Sequence, residues 1–171
     1  DNSPPEPEYF KQLFRVSKNQ IIWGANYFDY PMAGGMIIWD KCNDGSDQSD
    51  AEIAFNSLTR RVDIFRYMWR GMFQGKSIAE GTVQQGNKKL NEKRIHPTQK
   101  PVNLYRWICQ KYLQKGMMVL DTHVGSASSL IAYEEYGLEY IGYEINECYY
   151  NDACKRLEEF RSQITLFDLG M

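Results

Sequence analysis

The sequence is poor in metal ligands: two histidines, His96 and His123, lie far apart, and the four cysteines (Cys42, Cys109, Cys148, Cys154) form no Cys-x-x-Cys pair. That spacing excludes the usual zinc sets and gives no disulfide scaffold, so no metal is expected. No apolar run approaches the about 18 residues that a membrane span requires. The first residues, Asp1 to Glu8, are acidic and proline-rich rather than basic and then apolar, so they do not read as a secretory leader. A soluble, cytoplasmic protein is expected. Internal repeats and low-complexity blocks are also absent. What is present is 171 residues with 43% hydrophobic content, enough for one domain with a real core.

Charge is unevenly spread. From Arg60 to Lys100 ten basic residues face three acidic ones, a local +7 in a chain of formal net charge -2, which leaves -9 for the remainder. A basic middle in an acidic protein suits a surface that meets a polyanion, although a solvated face is the simpler reading of charge bias alone.

The order of elements can be read from runs and breakers. Tyr9, Phe10, Leu13 and Phe14 follow three prolines at helical spacing, which predicts a helix ending near Val16, with Ser3 as N-cap. Gln20 to Trp23 and Met36 to Trp39 are short β-rich runs beside glycines and read as buried strands. Five acidic residues between Asp40 and Glu52 lack the calcium-loop spacing. Ser49 to Glu52 reads as a capping box opening a short helix through Phe55. A strand around Val62 to Tyr67 follows, and Gly71 to Leu90 has no periodicity and is expected as a long functional or mobile loop.

After Pro101, Leu104, Tyr105, Ile108, Cys109, Tyr112 and Leu113 make a helical stripe closed by Gly116. Met117 to Asp121 is an apolar run ending in a carboxylate, the pattern of a central parallel strand. A Gly/Ser loop, a helix to about Tyr136, a strand from Tyr140 to Glu144 and a helix from about Glu147 to Arg161 complete a βαβα unit. In Asp121-Thr-His-Val-Gly125-Ser-Ala-Ser-Ser129, Gly125 permits a tight turn, the following helix offers free N–H groups, and Glu144 can accept hydrogen bonds from ribose hydroxyls. Together these predict a nucleoside-cofactor site. Ala127 stands where a Gly-x-Gly motif would have its second glycine.

His96-Pro-Thr-Gln-Lys-Pro101, then a helix, the strand to Asp121, the Gly125 loop and Glu144 resemble the second half of the β-class amino DNA methyltransferases. This N6-adenine/N4-cytosine family uses S-adenosylmethionine. Asn19 to Phe28 and Ser49 to Glu52 also resemble segments of phage-type adenine methylases, so the likeness runs from about residue 17 onward. The resemblance implies a three-layer, Rossmann-like α/β fold with a mixed sheet. It implies one domain over 1–171, with a strand-rich part (17–70), a loop or target-recognition region (71–95), a cofactor-binding part (96–162) and a tail (163–171). It places Asp121, Gly125 and Ser126 at the cofactor's methionine side, Glu144 at its ribose, and Lys100 with Thr98 at the border of the pocket. Asp121 could instead cap the following helix, Lys100 could be a surface cation, and Thr98 could order the turn. His123 stands where the family has an aromatic.

The family activates the target amine with an Asp/Asn-Pro-Pro-aromatic loop, and no such tetrapeptide occurs here. Ser3-Pro-Pro-Glu6 lacks the aromatic and reads as a helix start, while Asn26-Tyr27-Phe28 reads as packing. The catalytic residue is therefore unassigned. The resemblance implies a chain that begins downstream of the missing motif, without the first strand and catalytic loop, and inactive by itself. The substrate implied is an amino group of double-stranded DNA, adenine N6 before cytosine N4, with Lys88, Lys89, Lys93 and Arg94 meeting phosphates. Gln163-Ile-Thr-Leu166-Phe167 resembles a sliding-clamp docking peptide, against a final strand or packed tail as the plainer reading. The alternative function is a catalytically silent DNA-binding or clamp-associated module that keeps the fold. A dehydrogenase is a weaker rival, since the His96 to Pro101 block has no role there.

Overall fold

Pro7, whose missing N–H costs nothing in the first turn of a helix, opens α1 (Pro7–Val16) with Glu6 at the N-cap. The computed structural model describes residues 4–168, with the side chains of 4–163. Ser3, expected as the cap, lies outside the described residues. Two compact units divide the chain between Lys89 and Leu90.

In the first unit a four-stranded mixed sheet has the order β1-β3-β2-β4, formed by β1 (Ile21–Trp23), β2 (Gly35–Asp40), β3 (Ala51–Asn56) and β4 (Val62–Arg66). β3 runs antiparallel to β1 and β2, and β2 runs parallel to β4. The helix expected from Ser49 through Phe55 is thus a strand. Glu52 lies opposite Trp39 across the ladder and pairs with Lys41 at 2.8 Å. Pairing on both sides overrides a weak local helix signal in so short a segment. One core joins Phe10 of α1 to Ile22 and Phe55; the Phe10 and Tyr30 rings stack at 4.9 Å. Ile37, Trp39 and Phe65 are also buried, and Trp39 Nε1 donates to the Tyr67 carbonyl at 3.1 Å. The region expected as one long loop from Gly71 to Leu90 contains β6 (Phe73–Gln74), which pairs antiparallel with β5 (Trp69–Arg70) just ahead of it, and a 3-10 turn at Lys88–Leu90.

The second unit contains α2 (Val102–Tyr112), β7 (Met118–Asp121), α3 (Ser128–Glu135), β8 (Glu139–Gly142) and α4 (Glu147–Asp168). β7 and β8 are parallel, as a strand-helix-strand crossover requires. Val119 and Tyr140 pack on a core built from Ala127, Leu130, Ile131, Ala132 and Leu138. The opposite face of the pair is open: Met118 is 63%, Leu120 37% and Ile141 46% exposed. β7 is therefore not the buried central strand expected from its apolar run; among the described residues it pairs with β8 alone. α4 continues past Arg161, so the backbone of Gln163 to Phe167 is helical rather than a final strand.

Candidate functional site

The loop between β7 and α3 is held from several directions. Asp121 Oδ1 accepts the His123 N–H at 3.0 Å, and Oδ2 accepts the Ser129 hydroxyl at 2.5 Å. The Tyr143 N–H donates to the Asp121 carbonyl and the Val124 N–H to the Tyr143 carbonyl, so the ends of the two strands are laced together. Asp121 thus shapes the loop with both carboxylate oxygens. Ser126 faces inward: it is 5% exposed and its Oγ lies 3.0 Å from Ser128 Oγ.

Gly125 has φ of +54°, the left-handed region that favours glycine. Its N–H donates to Glu144 Oε2 at 2.9 Å, while Glu144 Oε1 accepts the Asn146 N–H at 2.9 Å. Each oxygen has one protein donor and a remaining lone pair, so the carboxylate can still accept hydrogen bonds from a diol. Asn146 Oδ1 then takes the Tyr149 N–H, which fastens the start of α4 beside Glu144. A notch beside this carboxylate is lined by Val124, Leu130, Gly142, Tyr150 and Ala153.

His96 completes the arrangement. A Cβ on Gly125 would lie 3.8 Å from the His96 ring, and that ring is 4.2 Å from Tyr149. His96 Nδ1 accepts the Thr98 N–H at 3.2 Å, which leaves the proton of the neutral ring on Nε2. Burial pushes the His96 pKa below its ordinary value; Glu144 pulls it up and Lys100 pushes it further down. The structure therefore gathers Gly125, Glu144, Thr98 and Lys100 around an imidazole that the spacing argument had not singled out. Asp121 and Ser126 form the body of the loop, and His123 is exposed with its ring nitrogen 3.0 Å from Thr122 Oγ1. Lys88 and Lys89 lie exposed in the 3-10 turn that ends the first unit, and Lys93 and Arg94 lie exposed near the start of the second. The site expectations also missed Glu92 and Arg156, which support the loop from behind.

Parallel strands joined by a helix, a glycine turn at that helix's N-terminus and a carboxylate just past the second strand define a Rossmann-like α/β class. A family model described as DNA methylase (N6/N4) matches residues 37–155. The chain belongs to this DNA methylase family. It is 32% identical over 99 residues to Type II methyltransferase M.HindIII of Haemophilus influenzae, covering 51% of this chain and 31% of that protein. It is 26% identical over 161 residues to Type II methyltransferase M2.DpnII of Streptococcus pneumoniae, covering 90% of this chain and 47% of that one. The chain therefore spans between about a third and a half of these relatives. Among solved structures, M1.HpyAVI is similar in fold, with a TM-score of 0.51, 19% identity, and coverage of 90% of this chain and 83% of that chain.

Proposed function

We propose that this chain supplies the cofactor-binding and DNA-contacting parts of an enzyme that transfers a methyl group from S-adenosylmethionine to an exocyclic amine of double-stranded DNA, adenine N6 in preference to cytosine N4. The observation that carries the reading is the junction of Gly125, Glu144 and His96. A carboxylate with spare lone pairs suits ribose hydroxyls, and a glycine without Cβ admits close approach of a ligand to the loop backbone. The cofactor, when bound, supplies an electrophilic methyl group. Glu144 holds the ribose, Gly125 presents loop backbone, Thr98 and Lys100 border the site, and Asp121 and Ser126 keep the loop in shape. The His96 ring, packed on Tyr149, walls the site and excludes water.

Lys88, Lys89, Lys93 and Arg94 meet backbone phosphates, which positions DNA without reading its sequence. The group that activates the amine is absent, since the sequence contains no Asp/Asn-Pro-Pro-aromatic tetrapeptide, and this chain alone turns over little or nothing. The test is calorimetric titration of the folded chain and of Glu144→Ala with S-adenosylmethionine. Wild-type binding weakened at least about tenfold in the variant is expected from the loss of charge-assisted hydrogen bonds. A folded chain that binds DNA in a salt-sensitive manner but takes no cofactor would point instead to the silent DNA-binding module.

A further inference from the structure

Glu92 occupies an unusual position behind the Gly125 loop. Its Oε1 accepts Gln99 Nε2 at 2.8 Å, the Ser128 hydroxyl at 3.2 Å and an Arg156 guanidinium nitrogen at 2.6 Å. Its Oε2 accepts the Val102 N–H at 2.9 Å, which satisfies a donor in the first turn of α2. Arg156, on α4, uses its other terminal nitrogen to reach the Ser126 carbonyl at 2.7 Å and Ser128 Oγ at 3.0 Å. The pair is largely shielded, with side-chain exposures of 15% for Arg156 and 19% for Glu92. One carboxylate and one guanidinium thus tie the His96 to Pro101 segment, the start of α2, the start of α3 and the middle of α4 to a single point under the loop.

We infer that Glu92 and Arg156 are positioning residues for the cofactor loop: they fix Ser126 and Ser128 so that the Gly125 backbone is presented in one geometry, and cofactor affinity depends on them although neither touches the cofactor. This rests on the reading of the Gly125 and Glu144 junction as a cofactor site. The physical ground is that Ser126 is buried and its carbonyl receives a charged donor. Removing the charge at Glu92 frees Arg156 to move away, and the Ser126 carbonyl and Ser128 hydroxyl then lose their charged donor. Gln99 reinforces the arrangement, because its Oε1 accepts the Ile95 N–H at 2.9 Å while its amide nitrogen serves Glu92.

The full chain is compared with Glu92→Gln, which keeps shape and loses charge, and with Arg156→Lys, which keeps charge and loses the planar fork. Arg161→Ala is the control, because Arg161 lies on α4 like Arg156 but pairs with Glu134 near the C-terminal end of α3, away from the loop. Two readouts are needed: affinity for S-adenosylmethionine by titration, and hydrogen exchange of the 125–129 amides without cofactor. Both loop-side variants are expected to weaken the cofactor about tenfold, as a modest misplacement of a binding group does, with Arg161→Ala within about twofold of wild type. In Glu92→Gln the loop amides exchange about tenfold faster while those of Ile131 and Ala132 are unchanged. Loop exchange that stays at the wild-type rate, or that Arg161→Ala accelerates equally, overturns the inference. So does faster exchange with undiminished cofactor affinity. Faster loop exchange in a chain whose wild type takes no cofactor would sink the cofactor reading and leave the positioning of the loop standing.

Discussion

Ala127 sits at the N-cap of α3 in the left-handed region, with φ of +61° and no exposed surface. The backbone there wants a residue without Cβ, and alanine is the smallest side chain that still carries one. Ala127→Val adds a branched side chain at a positive φ inside a packed core. It is expected to destabilise by about 2 kcal/mol or more, read from the denaturant midpoint. His96 provides a second residue-scale prediction. Its pKa is lowered in the fold, mainly by burial, so the unfolded chain takes up the proton first as pH falls. The contribution is intact above the ordinary histidine range and is lost as pH drops through it toward the lower folded value. His96→Gln should therefore flatten the decline in melting temperature between about pH 7 and pH 5; an unchanged slope would show that other groups set the acid limit.

Among elements, the contact of β2 with the segment ahead of β4 is set by Gly35. A Cβ there would stand 2.3 Å from the Arg61 carbonyl oxygen and 2.8 Å from that of Thr59. Both obstacles are backbone, so Gly35→Ala is expected to cost more than about 2 kcal/mol, or to prevent folding, as judged by circular dichroism and thermal melting. Elements of this size were legible in the sequence where a run of one character ends at a breaker: β1, β2, β4, α2, α3 and β8 all meet that description. β3 was not, because six residues fit a strand or a helix turn equally well until β1 and β2 pair with it on either side. The core facing of β7 was also misread, since an apolar run records what a strand can bury and its neighbours decide what it does bury. In the candidate site, the meeting of Gly125 with Glu144 was legible because both stand at the strand ends of one local motif. Glu92 and Arg156 could not: they are 64 residues apart, belong to no local pattern, and meet only through folding.

At the scale of the whole molecule, two features stand out: the open face of β7 and β8, and the excess of basic residues between Arg60 and Lys100 in a chain of net charge -2. An apolar face of this kind should take up a solvatochromic hydrophobic dye in the native state. The double variant Leu120→Lys with Ile141→Lys should lose most of that fluorescence with little change in stability, since both side chains are already substantially exposed. For the basic stretch, DNA affinity should fall steeply with added salt in fluorescence anisotropy, and replacing Lys88 and Lys89 by alanine should make the slope shallower by roughly 2. A salt-independent affinity would exclude phosphate contacts there.

The support beneath the Gly125 loop spans a long stretch of chain: Glu92 precedes the loop and Arg156 follows it from the middle of α4. Loop-closure entropy makes such distant contacts late events in folding. During synthesis the β7, α3 and β8 segment can pair and collapse while α4 is still emerging, its glycine turn already held by Asp121 and Glu144 but still without the Arg156 contact to the Ser126 carbonyl. In refolding experiments, then, β-structure should return first and ligand affinity in a slower phase that tracks the docking of α4. The ability to take up the cofactor would mature as the last property of this half of the chain.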